Sequence, residues 1–318
     1  MNVVFMGSSK FAVPSLKAII ASKHKVICVV TQPDRQKGRG LALSSTEANK
    51  IAQAHKLRIY QPEDINTQES IEFLSALAPD IFAVVAFGQI LSREVLAVPK
   101  ILCLNLHASL LPKYRGAAPA RWAIIKGESR SGVTVIKMEE KLDAGPIILQ
   151  KEVDIENNED AVSLEERLAQ QGSGLLCQAL DLIQDERHKL IFQDEGKVSF
   201  APKLKKEDAL IHWDKPAVEI LNLIRGTTGW PGAFSYYQGK ILKIHKANIG
   251  LAIGSAIMPA VTHPGVVLDA SKKGIVVATG AGNLLITELQ IEGKKRVTAS
   301  EFISGYKFSV GDNLGKKN

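Results

Sequence analysis

The sequence predicts an α/β protein, in which a doubly wound, Rossmann-like, mostly parallel sheet is followed by a small C-terminal β-barrel of OB-like type. Three observations support this prediction. The length of 318 residues favours two domains over one. Short β-branched runs alternate with helical patterns in the first half, which is typical of a doubly wound sheet. Gly-punctuated strands dominate the last third, which indicates a small barrel.

The first predicted domain covers residues 1–200 and is built on alternating strands and helices. The run Ile81–Ala86 is apolar on both faces, as a central parallel strand covered by helices must be. In such sheets, ligands bind beyond the carboxyl ends of the strands. Strands are predicted at Val3–Met6, Val26–Thr31, Ile81–Ala86, Ile101–Asn105 and Val133–Met138, and helices at Phe11–Ala21, Ser45–His55 and Val162–Gln184.

A charged linker at residues 201–213 is expected to lead into a second domain at residues 214–318. This domain should begin with a helix at Ala217–Arg225 and continue with a hairpin at Tyr236–Ile241. Further strands are predicted at Val266–Leu268, Ile275–Thr279 and Leu284–Leu289.

The positive net charge of +7 lies entirely in the last third of the chain. Residues 1–200 contain 24 Lys and Arg against 24 Asp and Glu, whereas residues 201–318 contain 16 against 9. A basic region beside a neutral one indicates an anionic partner, such as a nucleic acid. Lysines that only keep a surface soluble are an equally common cause of such a charge.

The chain is expected to be cytoplasmic, with no membrane partner and no metal site. Apolar residues follow Met1 without a basic leader, and no apolar run approaches 18 residues. Cys28, Cys103 and Cys177 stand singly, without the paired spacing of a zinc site or the even number of a secreted disulfide framework.

Two loops of the first domain bear on its ligands. The first turn, Met6–Ala12, lacks the Gly-x-Gly-x-x-Gly fingerprint, which disfavours a nicotinamide dehydrogenase. The segment Gln32–Gly40 combines a proline, glycines and clustered bases, which predicts a mobile, exposed, cationic loop at residues 34–40. Such a loop can contact a phosphate backbone.

Three polar residues are candidates for chemistry. Asn105 and His107 are two apart at the end of an apolar strand, so in extended chain their side chains point to one face and can converge on one substrate atom. Asp143 stands in a turn before a Gly-Pro pair. Asn and His near strand ends often serve only as hydrogen-bonding groups, and Asp before Gly-Pro is commonly a turn former. From the residues alone, both interpretations stay open.

The stretch Asn105–Pro119, with the sequence NLHASLLPKYRGAAP, resembles the 10-formyltetrahydrofolate-dependent formyltransferases. The motifs cover most of residues 1–215. The basic tail after Trp230 is similar to the tRNA-binding barrel of one branch of that family. The resemblance extends to Thr31–Arg35, Gly38–Gly40, Val84–Leu91, Leu142–Pro146 and Ala201–Leu204.

The resemblance implies that Asn105, His107 and Asp143 are catalytic and that 10-formyltetrahydrofolate is the co-substrate. When an amine attacks the formyl carbon, the formyl oxygen becomes negative, so fixed donors from Asn105 and His107 would lower the barrier. Asp143 would favour a protonated His107 and help to remove the proton of the attacking nitrogen. The resemblance also implies that Ser109, Leu110, Leu111 and Pro112 line the folate site. The strand end at Phe87 and Gly88 is expected to offer backbone groups to the edge of the pterin ring.

The acceptor implied by the resemblance is the amino group of methionine on initiator tRNA, bound by a monomer. Arg39 is expected to reach the acceptor end, with Arg35 and Lys37 beside it in the cationic loop. The chain departs from the family in this loop, which is shorter after Gly40. It also departs at Phe200, where an aromatic residue with a hydroxyl group is commoner.

Two alternatives fit parts of the sequence. A sugar-nucleotide N-formyltransferase would use the same three residues but would need no basic second domain, so the charge of the last third weighs against it. A non-catalytic RNA-binding protein on a degenerate enzyme scaffold would not need Asn105, His107 and Asp143, so their presence weighs against that alternative.

Overall fold

The computed structural model describes residues 1–37, 42–250, 263–306 and 308–315. The chain forms two compact units. The first unit comprises Met1–Pro119, Arg130–Asp154 and Leu164–Pro202, and the second comprises Ala120–Ser129, Ile155–Ser163 and Lys203–Asn318. The division into a catalytic domain, a linker and a tRNA-binding domain at residues 200 and 213 stays a prediction.

The first unit contains a mixed β-sheet. Its strands in chain order are β1 (Asn2–Gly7), β2 (Lys25–Val30), β3 (Arg35–Lys37), β4 (Ala42–Ser44), β5 (Ile59–Tyr60), β6 (Ile81–Val85), β7 (Leu102–His107), β8 (Arg130–Lys137) and β9 (Ile147–Asp154). In the described part of the chain, seven of them form one sheet with the order β5-β2-β1-β6-β7-β8-β9. The pairs from β5 to β7 are parallel, whereas β8 is antiparallel to β7 and to β9.

The central strands of this sheet are apolar because both of their faces are buried. Strand β6 is buried along its whole length, and β1 is buried from Val3 onward. Neither strand alternates apolar and polar residues, which is typical of central parallel strands. Ala86 has a left-handed φ of 47° and lies just beyond β6, one residue after the end of the strand. The predicted mostly parallel α/β sheet is therefore confirmed.

Several helices begin at a polar capping residue. The side chains of Thr46, Thr67 and Ser92 each accept a hydrogen bond from a backbone N–H three residues later, which satisfies a donor of the first turn. No helix within the described ranges combines the length and the apolar character needed to cross a membrane. The helices are α1 (Ala12–Ile20), α2 (Glu47–Ala54), α3 (Gln68–Ala76), α4 (Arg93–Leu96), α5 (Pro119–Ile125), α6 (Ala161–Gln184), α7 (Ala217–Gly226) and α8 (Ala299–Gly305).

The second unit contains an antiparallel sheet in the region where a small β-barrel is predicted. Its strands are β10 (Phe234–Tyr237), β11 (Lys240–Gly250), β12 (Val267–Ser271), β13 (Gly274–Ala278), β14 (Asn283–Ile291) and β15 (Val297–Thr298). Their order is β10-β11-β14-β13-β12, with β15 also paired to β14. The predicted hairpin is formed by β10 and β11, and its turn residues Gln238 and Gly239 have φ of 49° and 75°. Positive φ at both positions gives a turn that matches the twist of the strands.

The cationic loop predicted at residues 34–40 is partly a β-ribbon. Strand β3 pairs antiparallel with β4, and Arg35 lies opposite Ser44. Pairing satisfies backbone groups that an open loop would leave to water. Within the predicted loop, Arg35–Lys37 therefore form a strand, and Arg35 is exposed as predicted, whereas Arg39 lies outside the described residues.

A single carboxylate anchors the base of this ribbon. Asp34 accepts hydrogen bonds from Ser45 Oγ at 2.7 Å, Gln61 Nε2 at 2.8 Å and Asn49 Nδ2 at 3.2 Å. The bonds from Ser45 and Gln61 are the main causes that lower the pKa of the Asp34 carboxyl, because they stabilise its charged form. The ribbon is therefore tied to α2 and β5 at its base.

Candidate active site

Strand β7 presents Asn105 and His107 at its carboxyl end. It extends two residues beyond the predicted apolar run, so both residues belong to a regular strand. Their spacing places the two side chains on the same face of the sheet. His107 is buried, and Asn105 is partly exposed.

Asp143 reaches the same place from the turn between β8 and β9. Its Oδ1 accepts a hydrogen bond from Asn105 Nδ2 at 3.4 Å, and its Oδ2 lies 3.6 Å from His107 Nδ1. Only 8% of the Asp143 side chain is exposed. The structure thus brings the three predicted catalytic residues together, while their roles stay a prediction.

The backbone around Asp143 is held in an uncommon conformation. Asp143 has a φ of 51°, in the left-handed region that few residues other than glycine adopt. The N–H group of Gly116 donates to Asp143 Oδ2 at 2.8 Å. Gly116 has a φ of 127°, and a Cβ atom there would lie 2.6 Å from the carbonyl oxygen of Ala201. The approach of this donor to the carboxylate therefore requires glycine.

Both ring nitrogens of His107 face protein groups. Nε2 lies 2.9 Å from the carbonyl oxygen of Tyr114. Because a carbonyl oxygen only accepts, Nε2 carries the proton in this hydrogen bond. Nδ1 faces Asp143. Nδ1 attracts the carboxylate only when it carries a proton as well, and a direct contact of Nε2 with a formyl oxygen would require it to leave Tyr114.

The loop after β7 contains four of the six residues that are expected to bind folate. Ser109 Oγ donates to a backbone carbonyl oxygen of the same loop at 2.6 Å, and Leu111 is buried. Leu111 N donates to Thr134 Oγ1 at 3.3 Å, and its carbonyl oxygen accepts from Gln150 Nε2 at 3.0 Å. These bonds fix the loop, including Leu110 and Pro112, against β8 and β9. Contact of the loop with folate stays a prediction.

Phe87 and Gly88, the other two folate candidates, follow β6. The Phe87 side chain is 2% exposed and packs in the core of the first unit. Its carbonyl oxygen accepts a hydrogen bond from Ser8 Oγ at 3.0 Å. Gly88 has a φ of 93°. A ligand beside Phe87 would therefore contact its backbone atoms rather than its aromatic ring.

A small, partly open cleft lies beside Asn105 and Asp143. Ile90 and Leu142 line it and are 72% and 58% exposed, which makes them apolar parts of an accessible surface. Apolar walls with a few polar groups are typical of small-molecule sites. The other lining residues are Gln89, Leu91, Ile136, Met138, Glu139 and Glu140. Among these lining residues, only Asn105 and Asp143 were predicted from the sequence to take part in chemistry. Gln89–Leu91 lie in one of the family motifs but were given no role.

Of the three residues expected to contact tRNA, Arg35 is the one whose side chain the structure describes. It is 68% exposed, and its Nη2 lies 3.9 Å from Glu63 Oε2. An exposed pair at this distance contributes little to stability, so the guanidinium can exchange partners. The side chain of Lys37 and the whole of Arg39 lie outside the described residues.

A buried arginine lies near the turn of Asp143, and no role was predicted for it from the sequence. Arg115 is 2% exposed, and its Nη2 donates to Gln193 Oε1 and to Glu195 Oε1, both at 2.8 Å. A buried guanidinium needs such partners to offset its lost hydration. The Arg115 guanidinium, together with Lys141, holds the pKa of Glu195 below its ordinary range. Arg115 stands in the main motif, whereas Gln193 is 50 residues beyond Asp143 and no sequence pattern points to it.

Comparison with known proteins supports the family resemblance over the whole chain. Residues 1–180 match the formyl transferase family, and residues 203–307 match the formyl transferase C-terminal domain. The methionyl-tRNA formyltransferase of Citrifermentans bemidjiense is 44% identical over 320 residues, which cover 100% of this chain and 98% of that protein.

Solved structures share the fold at lower identity. The sugar 3N-formyl transferase WlaRD, with dTDP and 5-N-formyl-THF, has a TM-score of 0.66 and 20% identity, covering 93% of this chain and 99% of that one. The methionyl-tRNA formyltransferase from Clostridium thermocellum has a TM-score of 0.54 and 18% identity, covering 79% and 94%. The family match over more than half of the chain and the full-length similarity at 44% identity lead to one conclusion: the chain belongs to the formyl transferase family.

Proposed function

We propose that this enzyme transfers the formyl group of 10-formyltetrahydrofolate to the α-amino group of methionine carried by initiator tRNA. The product is N-formylmethionyl-tRNA for translation initiation. The proposal rests on the contacts of Asp143 with Asn105 and His107 at the end of β7. They occur in a chain that is 44% identical along its length to a methionyl-tRNA formyltransferase.

In the proposed reaction, Asn105 stabilises the negative oxygen. The amine nitrogen bonds to the formyl carbon, and the formyl oxygen takes up charge in the tetrahedral centre. Asn105 lines the cleft, and one of its two amide N–H groups is directed at Asp143. The other is suited to donate to the oxygen, where a preorganised donor acts most strongly in the transition state.

Asp143 is the base in this proposal. Its carboxylate takes the proton of the attacking nitrogen as the carbon–nitrogen bond forms. It then passes the proton to N10 of the leaving tetrahydrofolate, so the products are a neutral amide and tetrahydrofolate. Gly116, Asn105 and His107 hold the carboxylate in place, so little reorganisation accompanies the reaction. This sequence of steps needs no covalent intermediate with the protein.

The folate is proposed to bind in the cleft beside Asn105. Ile90 and Leu142 offer apolar surface to a flat pterin ring. The backbone at Phe87 and Gly88, just after β6, is proposed to offer hydrogen-bonding groups to the edge of the ring. The loop Ser109–Pro112 is proposed to form an adjacent wall, kept rigid by its bonds to β8 and β9.

The basic last third supports tRNA as the acceptor substrate. Residues 201–318 carry 16 Lys and Arg against 9 Asp and Glu. Such an excess of positive charge strengthens the binding of a polyanion far more than the binding of a sugar nucleotide. Arg35, Lys37 and Arg39 are proposed to contact the acceptor end. Because aminoacylated tRNA is used on ribosomes, the reaction is proposed to take place in the cytoplasm, with the enzyme as a monomer.

An acceptor competition tests the proposal. The protein is incubated with 10-formyltetrahydrofolate and one of three acceptors: methionyl-tRNA, free methionine or a dTDP-linked amino sugar. The masses of the products are then measured by mass spectrometry. We expect a gain of one formyl group on methionyl-tRNA only. Formylation of the amino sugar with methionyl-tRNA unchanged would favour the sugar enzyme instead.

A further inference from the structure

Gln193 connects the two segments that surround Asp143. This half-buried residue follows α6 in the first unit. Its Oε1 accepts hydrogen bonds from Arg115 Nε at 3.1 Å and from Arg115 Nη2 at 2.8 Å. Its Nε2 donates to the carbonyl oxygens of Asp143 at 2.8 Å and Gly145 at 2.7 Å.

The amide of Gln193 is fully used in these contacts. A glutamine side chain has two N–H donors and two acceptor lone pairs. Both donors go to the turn that carries Asp143, and both lone pairs go to Arg115. The next residue, Gly116, donates its N–H to the Asp143 carboxylate. Gln193 therefore closes a ring of contacts around Asp143.

The turn needs such support because its conformation is uncommon. Asp143 has a φ of 51°, and left-handed backbone at a residue other than glycine persists only where its surroundings enforce it. Gly145 packs so closely that a Cβ atom would lie 1.8 Å from the carbonyl oxygen of Lys137. Asn105 and His107 hold the Asp143 carboxylate, whereas Gln193 holds the backbone on both sides of Ala144.

We propose that Gln193 is a positioning residue for formyl transfer, which directs the Asp143 carboxylate toward Asn105 without touching either substrate. The proposal rests on the function proposed above. Arg115 keeps the Gln193 side chain in one orientation, and Glu195 in turn accepts from Arg115 Nη2 at 2.8 Å. Lys141, in the segment that leads into the turn, lies 3.2 Å from Glu195 and adds a second, exposed link.

The substitution Gln193→Glu tests this role with little change of shape. It keeps an acceptor for Arg115 and replaces both donors with an oxygen that repels the two carbonyl groups. Because a shift of about 1 Å in a reacting group can cost about 100-fold, we expect kcat for methionyl-tRNA to fall about 10- to 100-fold. KM for both substrates should stay within about twofold, because Gln193 contacts neither substrate in the proposal.

Gln290→Glu is a matched control in the second unit. Gln290 Nε2 also donates to a backbone carbonyl oxygen, that of Lys294, at 2.7 Å. The same substitution there should lower stability without changing kcat. Gln193→Met, which has a side chain of similar length without hydrogen-bonding groups, serves as a second test should Gln193→Glu fail to fold.

Hydrogen exchange of the Gly116 amide supplies a readout besides activity. This N–H group is bonded to Asp143 Oδ2, so its exchange should be faster in Gln193→Glu, as in Asp143→Ala, and unchanged in Gln290→Glu. A folded Gln193→Glu or Gln193→Met variant with wild-type kcat and wild-type Gly116 exchange would overturn the proposal. A fall in kcat only in proportion to lost folded protein would overturn it as well.

If the wild-type protein fails to formylate methionyl-tRNA while Gly116 exchange responds as expected, the acceptor is wrong and the positioning of Asp143 stands.

Discussion

The turn of Asp143 and the ribbon of β3 and β4 are both connections that leave the main sheet, yet they are built in opposite ways. Asp143 is 8% exposed and held by contacts to its carboxylate and to its own backbone. The ribbon is anchored at its base by Asp34, and Arg35 beyond this anchor is 68% exposed and has only a long, exposed contact with Glu63 among the described residues.

This difference matches two different physical tasks. A group that acts on one atom of a substrate must be held within a fraction of an ångström, which requires burial and several fixed contacts. A cation that meets a phosphate backbone acts through charge and tolerates many geometries. Substitutions in the first region should therefore change kcat, and substitutions in the second should change tRNA affinity and its dependence on salt.

The largest effect is expected at the proposed catalytic residues. Asp143→Ala should lower the single-turnover rate about 100- to 1,000-fold, as the loss of a transition-state contact typically does. His107→Ala should have an effect of similar size, because the Asp143 carboxylate loses a neighbour that positions it. tRNA binding should be largely unchanged. The measurement is rapid-quench formylation of methionyl-tRNA at saturating substrates.

A second His–Asp pair supplies the control for this experiment. His24 is buried and its Nε2 lies 3.1 Å from Asp181 Oδ1, but it belongs to neither β7 nor the turn of Asp143. His24→Ala should lower stability and leave the rate per folded molecule unchanged. Either catalytic variant within about threefold of wild type, which is under about 1 kcal/mol of barrier, would remove that residue from the mechanism.

Arg39 should produce the next largest effect. Arg39→Ala is expected to lower kcat/KM for methionyl-tRNA about tenfold, equivalent to about 1.4 kcal/mol, with folate affinity unchanged. Arg39→Lys should recover only part of the loss, because the planar guanidinium pairs with phosphate through two hydrogen bonds and stacks on bases. Wild-type efficiency in both variants would leave tRNA recognition to the second domain alone.

Surface lysines of the second unit should have a smaller, salt-dependent effect. Lys272 and Lys273 are exposed in the turn between β12 and β13. The double change to glutamine should weaken tRNA binding a few-fold and lower the slope of log affinity against log salt by about 1 to 2, since each lost phosphate contact removes about 0.7 to 0.9. The double change of exposed Lys17 and Lys56, in the first unit, to glutamine is the control and should leave the slope unchanged.

The smallest effect concerns the anchor of the ribbon. The pKa of Asp34 is lowered in the folded chain, chiefly by Ser45 and Gln61, so its charged form stabilises the fold above the ordinary carboxyl pKa. This contribution is lost as the pH falls through the folded pKa. The melting temperature of Asp34→Asn should therefore be slightly below that of wild type at neutral pH, and the difference should shrink in acid. A difference that stays constant down to pH 2 would show that the charge of Asp34 is unimportant for the ribbon.

Local properties of the chain were sufficient to predict several features of this protein. Apolar runs without alternation predicted the central parallel strands, because a strand buried on both faces has no polar side. The two-residue spacing of Asn105 and His107 predicted that they share a face, since side chains of a strand alternate. The family motifs added Asp143 to this pair.

Only the tertiary structure decided which distant residues support the site. Gln193 lies 50 residues beyond Asp143, and the approach of such separated groups depends on how the whole sheet and the segment after α6 pack together. The same reason applies to the ribbon. Proline, glycine and charge in Gln32–Gly40 are typical of an irregular loop, but pairing with β4 and the bonds of Asp34 outweigh that local preference for Arg35–Lys37. Local patterns report how each residue relates to its near neighbours, whereas contacts across long sequence separations follow from the packing of the complete fold.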